Sequence, residues 1–437
     1  MNLDKYRNNI KSCKRLLESD TLGSFDFFTS TICLDSVETR HFEAFKTSNS
    51  YAESTKVFPL AIHEYTHFVD STSTLWGMKH HLKMNEAYSS SYIKGGSEDG
   101  FFKAKDFFEH VRSLRLPTYY TEQNSDVDSS RPWQSQITIG IQFDLDGRLS
   151  EKPILFSNFR NLNGELLARS PISVVSLLEA SAMSNEMMAR MSLINGLGND
   201  EKSIEIKLFE RDSFDYIYNQ NLTEYSVCVH IVANILECED LFVAFQICST
   251  ITRIVLNFPD SLIDVLMSHS DLHEILDIPK GHEFEKRFYK GIYHHDLGIL
   301  YFLICKALPK DTHKSQARVI SGIESALEKL NLSFDLIQQE AHKQISEIHN
   351  VLKDSQIEAI KLLANSGENN FKKIDIKSSS INFSVLSLPP FYLGDGEEAE
   401  IFNNDKNLFK DINLDSIFNE LCEGQEWTEK FSEACTT

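Results

Sequence analysis

The segment FPLAIHEYTHFVDSTSTLWG places His63 and His67 four residues apart, with Glu64 directly after the first. On a helix, residues at that spacing project from one face one turn apart, so both imidazoles reach a single tetrahedral metal. Glu64 is displaced around the helix towards the open coordination position. A carboxylate there can take a proton from metal-bound water and pass it to a leaving amine. Zinc is the metal expected, because it lowers the pKa of its water towards about 7 and polarises a scissile carbonyl. With 15 histidines in 437 residues, chance supplies such a motif roughly 0.04 times. The plainer alternative is a core helix whose histidines make ordinary hydrogen bonds. The flanking Leu60, Ala61, Ile62, Phe68 and Val69 predict a buried helix, whose polar groups then need partners.

A catalytic zinc needs a third protein ligand. The extended motif that ends in a further histidine is missing, with Asp70 and Ser73 standing in its place. That leaves a glutamate on a later helix. Glu179, in VVSLLEASAMSNEMMAR, sits among apolar residues, and Ala180, Ser181 and Ala182 keep its helix thin enough for close approach. Glu86, in MNEAYSSSY, is the alternative, in a more polar stretch that also suits a solvated face. Tyr225 and His230, in NLTEYSVCVHIVANIL, are candidates to donate a hydrogen bond to a tetrahedral oxyanion, and equally read as core residues. His80-His81 and His294-His295 are adjacent pairs that face different directions on a helix, which disfavours a shared metal. No GxSxG, Walker or GxGxxG motif occurs.

The segments HEYTHFVDSTSTLWG and LLEASAMSNE resemble the HExxH zinc metallopeptidases of the glutamate-ligand (gluzincin) group. They are similar to bacterial cytoplasmic proteins with an HEYxH-x-x-Q-x-x-ST-x-x-G pattern and a later LE-x-x-A helix. The pattern falls on His63, Glu64 and His67, then on Glu179 and Ala182; this chain departs from it at Asp70, where the pattern has glutamine. NEAYSS resembles the NEAxSD block of thermolysin-like enzymes but lacks its aspartate, so Glu86 stays a candidate. The resemblance covers about residues 55–195 and implies a zincin-like catalytic domain that hydrolyses peptide bonds with Zn2+.

The elements that must position these residues are mostly helical. The expected fold class is mostly α with a small β element: a zincin-like catalytic domain and a large helical C-terminal region. Domains are expected at 1–200, with a β-hairpin insertion near 136–159, at 201–365 (helical), and at 366–437 (irregular). A short helical pattern opens the chain, and FDFFTSTICLDSV reads as a strand, whose edge could pair with an extended substrate. Helix is expected from Thr55 to Tyr92 with a break at Gly77, and GGSEDG at 95–100 as a loop. QITIGIQF and PILFSNF flank the turn Asp146-Gly147, and Ser170-Pro171 reads as a helix N-cap and first turn. Further helices are expected near 222–237, 240–257, 283–307, 312–330 and 334–364.

Composition narrows the function classes. At 41% hydrophobic, the chain can build a substantial core, and 43 basic against 64 acidic residues give a net charge of −21. Such a chain repels phosphate backbones, so nucleic acid is not an expected partner. The longest apolar stretch, Leu297 to Cys305, falls far short of the roughly 20 residues a membrane span needs. The N-terminus has no apolar signal core, and the eight cysteines show no CxxC spacing, which reads as reduced thiols in a cytoplasmic protein. The expected function is a zinc-dependent metallopeptidase acting on a protein or peptide, with zinc on His63, His67 and Glu179 and Glu64 as general base. The alternatives are a non-enzymatic interaction or scaffold protein on the same fold, or a regulated toxin or host-defence protease. Nothing in the sequence sets the substrate or the oligomeric state.

Overall fold

The computed structural model describes residues 22–48, 50–89, 98–143, 147–410 and 412–435. The helical pattern in residues 1–20 and the start of the GGSEDG loop lie outside the described residues. Helix accounts for 62% of the structure and strand for 11%, so the mostly α fold class holds.

The chain opens with β1 (Ser24–Asp26) and β2 (Thr31–Leu34), followed by helices α1 (Thr39–Thr47), α2 (Tyr51–Thr72), α3 (Leu75–Ser89) and α4 (Glu98–Leu114). FDFFTSTICL is therefore a hairpin and not one strand. Asp26 Oδ1 accepts from Phe28 N–H at 2.8 Å and Ser30 adopts φ 51°, which turns the chain back on itself. The break between α2 and α3 falls at Ser73-Thr74, ahead of Gly77. Thr74 Oγ1 accepts from the Gly77 N–H and so caps α3. Gly77 has a packing role instead: a Cβ there would lie 2.3 Å from the Ser71 carbonyl carbon. Only glycine lets the two helices meet at that angle.

A second sheet follows, built from β3 (Glu122–Gln123), β4 (Gln134–Phe143), β5 (Leu149–Arg160) and β6 (Leu166–Pro171) in the order β3-β6-β5-β4. The expected hairpin is β4–β5, with Ile139 opposite Leu155 and Gly147 at φ +74° near the turn. β6 runs through Ser170 and Pro171, so Ser170 is a buried strand residue paired with Ser157. The N-cap of the next helix is Ser173, whose side chain accepts from Ser176 N–H in a reciprocal box.

That helix is α5 (Val174–Asn195). It is followed by α6 (Asn199–Ile217), α7 (Thr223–Leu236), α8 (Leu241–Leu256), α9 (Glu283–Tyr293), α10 (Leu297–Ala307), α11 (Gln316–Lys329), α12 (Phe334–Leu352) and α13 (Glu358–Phe371). The expected helix at 283–307 is two, divided where His295 takes φ 56° and Asp296 caps α10 through Ile299 N–H. The one at 334–364 is also two. The tail holds β7 (Phe391–Leu393), β8 (Glu398–Ala399) and α14 (Leu414–Cys435), so the segment expected to be irregular carries regular structure.

The tail also builds the first sheet. Its order is β1-β2-β7-β8, with β2 parallel to β7 through Cys33 opposite Tyr392, which leaves β1 at the edge. The boundaries expected at 200 and 365 consequently do not separate cores. One apolar core joins Phe25, Phe68, Ile345, Phe391 and Leu421; another joins Phe159, Leu177, Val229, Ile251 and Tyr301. α5 lies between them, giving Leu178 to the first and Leu177 to the second. Among the described residues no single helix is long and apolar enough to cross a membrane.

Candidate metal centre

α2 carries the HEYTH segment, and every residue from Glu64 to Thr72 is buried. Tyr65 anchors the far face: its hydroxyl donates to Pro389 O at 3.1 Å and its ring packs on Phe391. The near face meets α5, where the small residues Ala180, Ser181 and Ala182 are buried in the contact.

At that contact the structure brings His63, His67 and Glu179 together, their ligand atoms all within 4.8 Å of one another. The two Nε2 atoms are 3.2 Å apart. Glu179 Oε2 lies 3.5 Å from His63 Nε2, and its Oε1 lies 3.5 Å from His67 Nε2. Donor atoms about 2.0–2.1 Å from a tetrahedral zinc lie about 3.3 Å from each other. The three distances are close to that spacing, the two to Glu179 falling on its separate oxygens, so a small turn of the carboxylate brings one oxygen to an ion held by both imidazoles. Two imidazoles with one carboxylate are a donor set zinc favours.

The electrostatics follow from burial. Glu179 is 3% exposed. Burial favours its neutral acid, yet His67, His63 and Arg115 hold it below the ordinary carboxylate range. Burial pulls His67 down to about 4, against the pull of Glu179. Burial also opposes the His63 cation, but Glu179 and Glu186 outweigh it and keep its pKa well above the usual value.

Glu64 lies beside the triangle, 4% exposed, with Oε2 buried and unpartnered. Burial pushes its pKa up to about 8, with His63 working against the rise and Glu179, Glu186 and Asp35 adding to it. β1 adjoins it. A Cβ on Gly23, just before that strand, would come within 2.9 Å of Glu64 Oε1. Phe25 and Phe27 place their rings 6.4 and 6.3 Å from the ring of His67.

The remaining candidates separate. Glu86 is exposed on α3, outside the cluster. Tyr225 is close enough to Glu179 to feel its charge. Burial and Glu179 raise the phenol's pKa while Arg115 lowers it, and Arg115 Nη2 donates to its oxygen at 3.1 Å. His230 belongs to a core: it bonds Ile217 O at 3.1 Å, and its ring stacks on Trp133 and packs against Phe159 and Tyr218. His80 bonds Phe27 O and His110, whereas both nitrogens of His81 are buried without a partner. Asp70 is buried, held by Ser181 and by the charge of Arg253, while burial lifts its pKa to about 7.

Three residues near the centre carry no sequence motif: Arg115, Tyr216 and Glu186. Tyr216 reaches it from α6, its pKa pushed well above 10 by burial and then by Glu179 and Glu186. Glu186 places Oε2 2.8 Å from His63 Nδ1. Its one sequence signal is position, seven residues past Glu179 and so two turns along the same helix face. No protein-family model, no curated protein and no solved structure matches the chain.

Proposed function

We propose that the chain is a zinc-dependent metallopeptidase, similar to the glutamate-ligand HExxH group, acting on a protein or peptide. The observation that carries this reading is the triangle of His63, His67 and Glu179 with the unpartnered Glu64 carboxylate beside it. Zinc held there would supply Lewis acidity, polarising a carbonyl and acidifying water. Glu64 then acts as general base and general acid, taking a proton and returning it to the leaving amine. Burial and the neighbouring carboxylates favour proton uptake by Glu64.

Tyr225 supplies the oxyanion donor. Arg115 donates to its oxygen, which leaves the phenol's own proton to give. Among the described residues β1 is an edge strand, and an edge that begins beside Glu64 suits an extended peptide that pairs by its backbone. A cytoplasmic setting agrees with Cys228, Cys238, Cys248 and Cys305, which are free thiols. A non-enzymatic scaffold is the weaker reading, because all three ligands and the base stand together.

The test is metal content and hydrolysis in parallel. Wild type should hold close to one zinc per chain and cleave a peptide library, while Glu64→Gln keeps zinc and loses cleavage. A protein free of transition metal after metal-replete purification would overturn the proposal.

A further inference from the structure

The two histidines of the centre are held in different ways. His67 is wholly buried and its Nδ1 meets no acceptor; the rings of Phe25 and Phe27 fix it by packing. Among the described residues the one ring packed against His63 is that of His67, and the His63 side chain is 14% exposed. Its ring lies between two carboxylates of α5, Nε2 towards Glu179 and Nδ1 towards Glu186. The Nδ1–Oε2 distance of 2.8 Å is that of a charge-assisted hydrogen bond.

We propose that Glu186 is the positioning residue of this centre, holding His63 with Nδ1 protonated so that Nε2 presents its lone pair to the metal. A neutral imidazole carries one ring proton, and donating it to Glu186 leaves Nε2 as the only acceptor. The same bond fixes rotation about the Cβ–Cγ axis. An anionic partner also makes the imidazole a stronger donor. One helix thus supplies a ligand and, two turns on, the acid that aims another ligand. At 30% side-chain exposure, Glu186 can be replaced without leaving a buried hole.

The inference rests on the zinc reading, so the experiment separates the two. Zinc affinity is measured by chelator competition for wild type, Glu186→Ala and Glu186→Gln, alongside thermal unfolding of each. We expect wild type to bind one zinc and Glu186→Ala to bind it about 10- to 100-fold more weakly with little change in Tm. Glu186→Gln, whose amide oxygen still accepts from Nδ1–H, should recover part of that loss. 15N shifts of His63 in the metal-free protein, above the pH where the ring titrates, should report the Nδ1–H tautomer in wild type and a mixture in Glu186→Ala. Wild-type binding with an unaltered affinity in Glu186→Ala overturns the positioning role alone, as does an Nε2–H tautomer in wild type. Absence of zinc binding by wild type overturns the zinc reading, and the tautomer measurement then still decides whether Glu186 orients the ring.

Discussion

Glu64 Oε1 lies against the bare backbone of Gly23, where an added Cβ would approach to 2.9 Å and would also stand 3.1 Å from Cys33 O. The proposed base and the chain entering the edge strand are thus fitted to each other. Gly23 is not in the left-handed region, so the constraint is steric and local.

Gly23→Ala should therefore move the Glu64 carboxylate while leaving the fold and the ligand triangle in place. A misplacement near 1 Å costs about 10- to 100-fold in rate when positioning matters. We expect a fall of that order in kcat/KM with zinc content unchanged. Undiminished turnover in a Gly23→Ala protein of native Tm would show that Glu64 is not held by this contact.

Glu179→Ala leaves two protein ligands, so zinc retention through dialysis against a mild chelator should fall by orders of magnitude. Glu86→Ala should leave it intact, because an exposed helical glutamate contributes a few tenths of a kcal/mol at most. The reverse order of losses would move the third ligand to α3.

The site is more legible in the sequence than the frame that carries it. His63, Glu64 and His67 are fixed by helical periodicity, which is local, and Glu179 by an acid amid Leu, Ala and Met that needs a cation. Glu186 escapes because a half-exposed acid on a helix also reads as part of a solvated face, and only the ring of His63 gives it a role. Ser170 and Ser173 both suit a cap; the pairing of β6 with β5, a tertiary fact, decides for Ser173. The domain divisions fail for the same reason. The parallel pairing of Cys33 with Tyr392 joins the two ends of the chain, and no local pattern announces it.

Acid should destabilise the protein through its buried neutral histidines. Burial lowers His80 and His230 to about 4 and His81 to about 3, from an unfolded value near 6.5. A depressed histidine contributes its full stability above 6.5, and that contribution declines as pH falls from there towards the folded pKa. Each unit of depression is worth about 1.4 kcal/mol. The urea midpoint should therefore drop steadily between pH 6.5 and 4. His81→Leu should flatten that decline, since both ring nitrogens of His81 lack partners and nothing polar is lost. An equal slope in the variant would remove His81 from the account.

Asp70 stands one turn beyond His67 and ties α2 to α5 through Ser181 and to α8 through the charge of Arg253. Arg253 is itself buried; it donates to the carbonyls of Asp375 and Ser378, but its Nη2 has no acceptor. Asp70 and Arg253 are both buried and line one small pocket, so removing either charge leaves the other without its counter-charge away from water. Asp70→Ala should cost about 2–4 kcal/mol, less than the severest cases because Arg253 keeps its carbonyl partners. Arg253→Met should cost a comparable amount. The double variant should be less destabilised than the sum, with a coupling of about 1–3 kcal/mol. Urea denaturation of the four proteins measures this directly. Additive losses would mean that the two groups do not sense each other, and Asp70 would then act through Ser181 alone. Zinc content of the folded Asp70→Ala protein should match wild type, because the carboxylate supports the helix contact and is not a ligand.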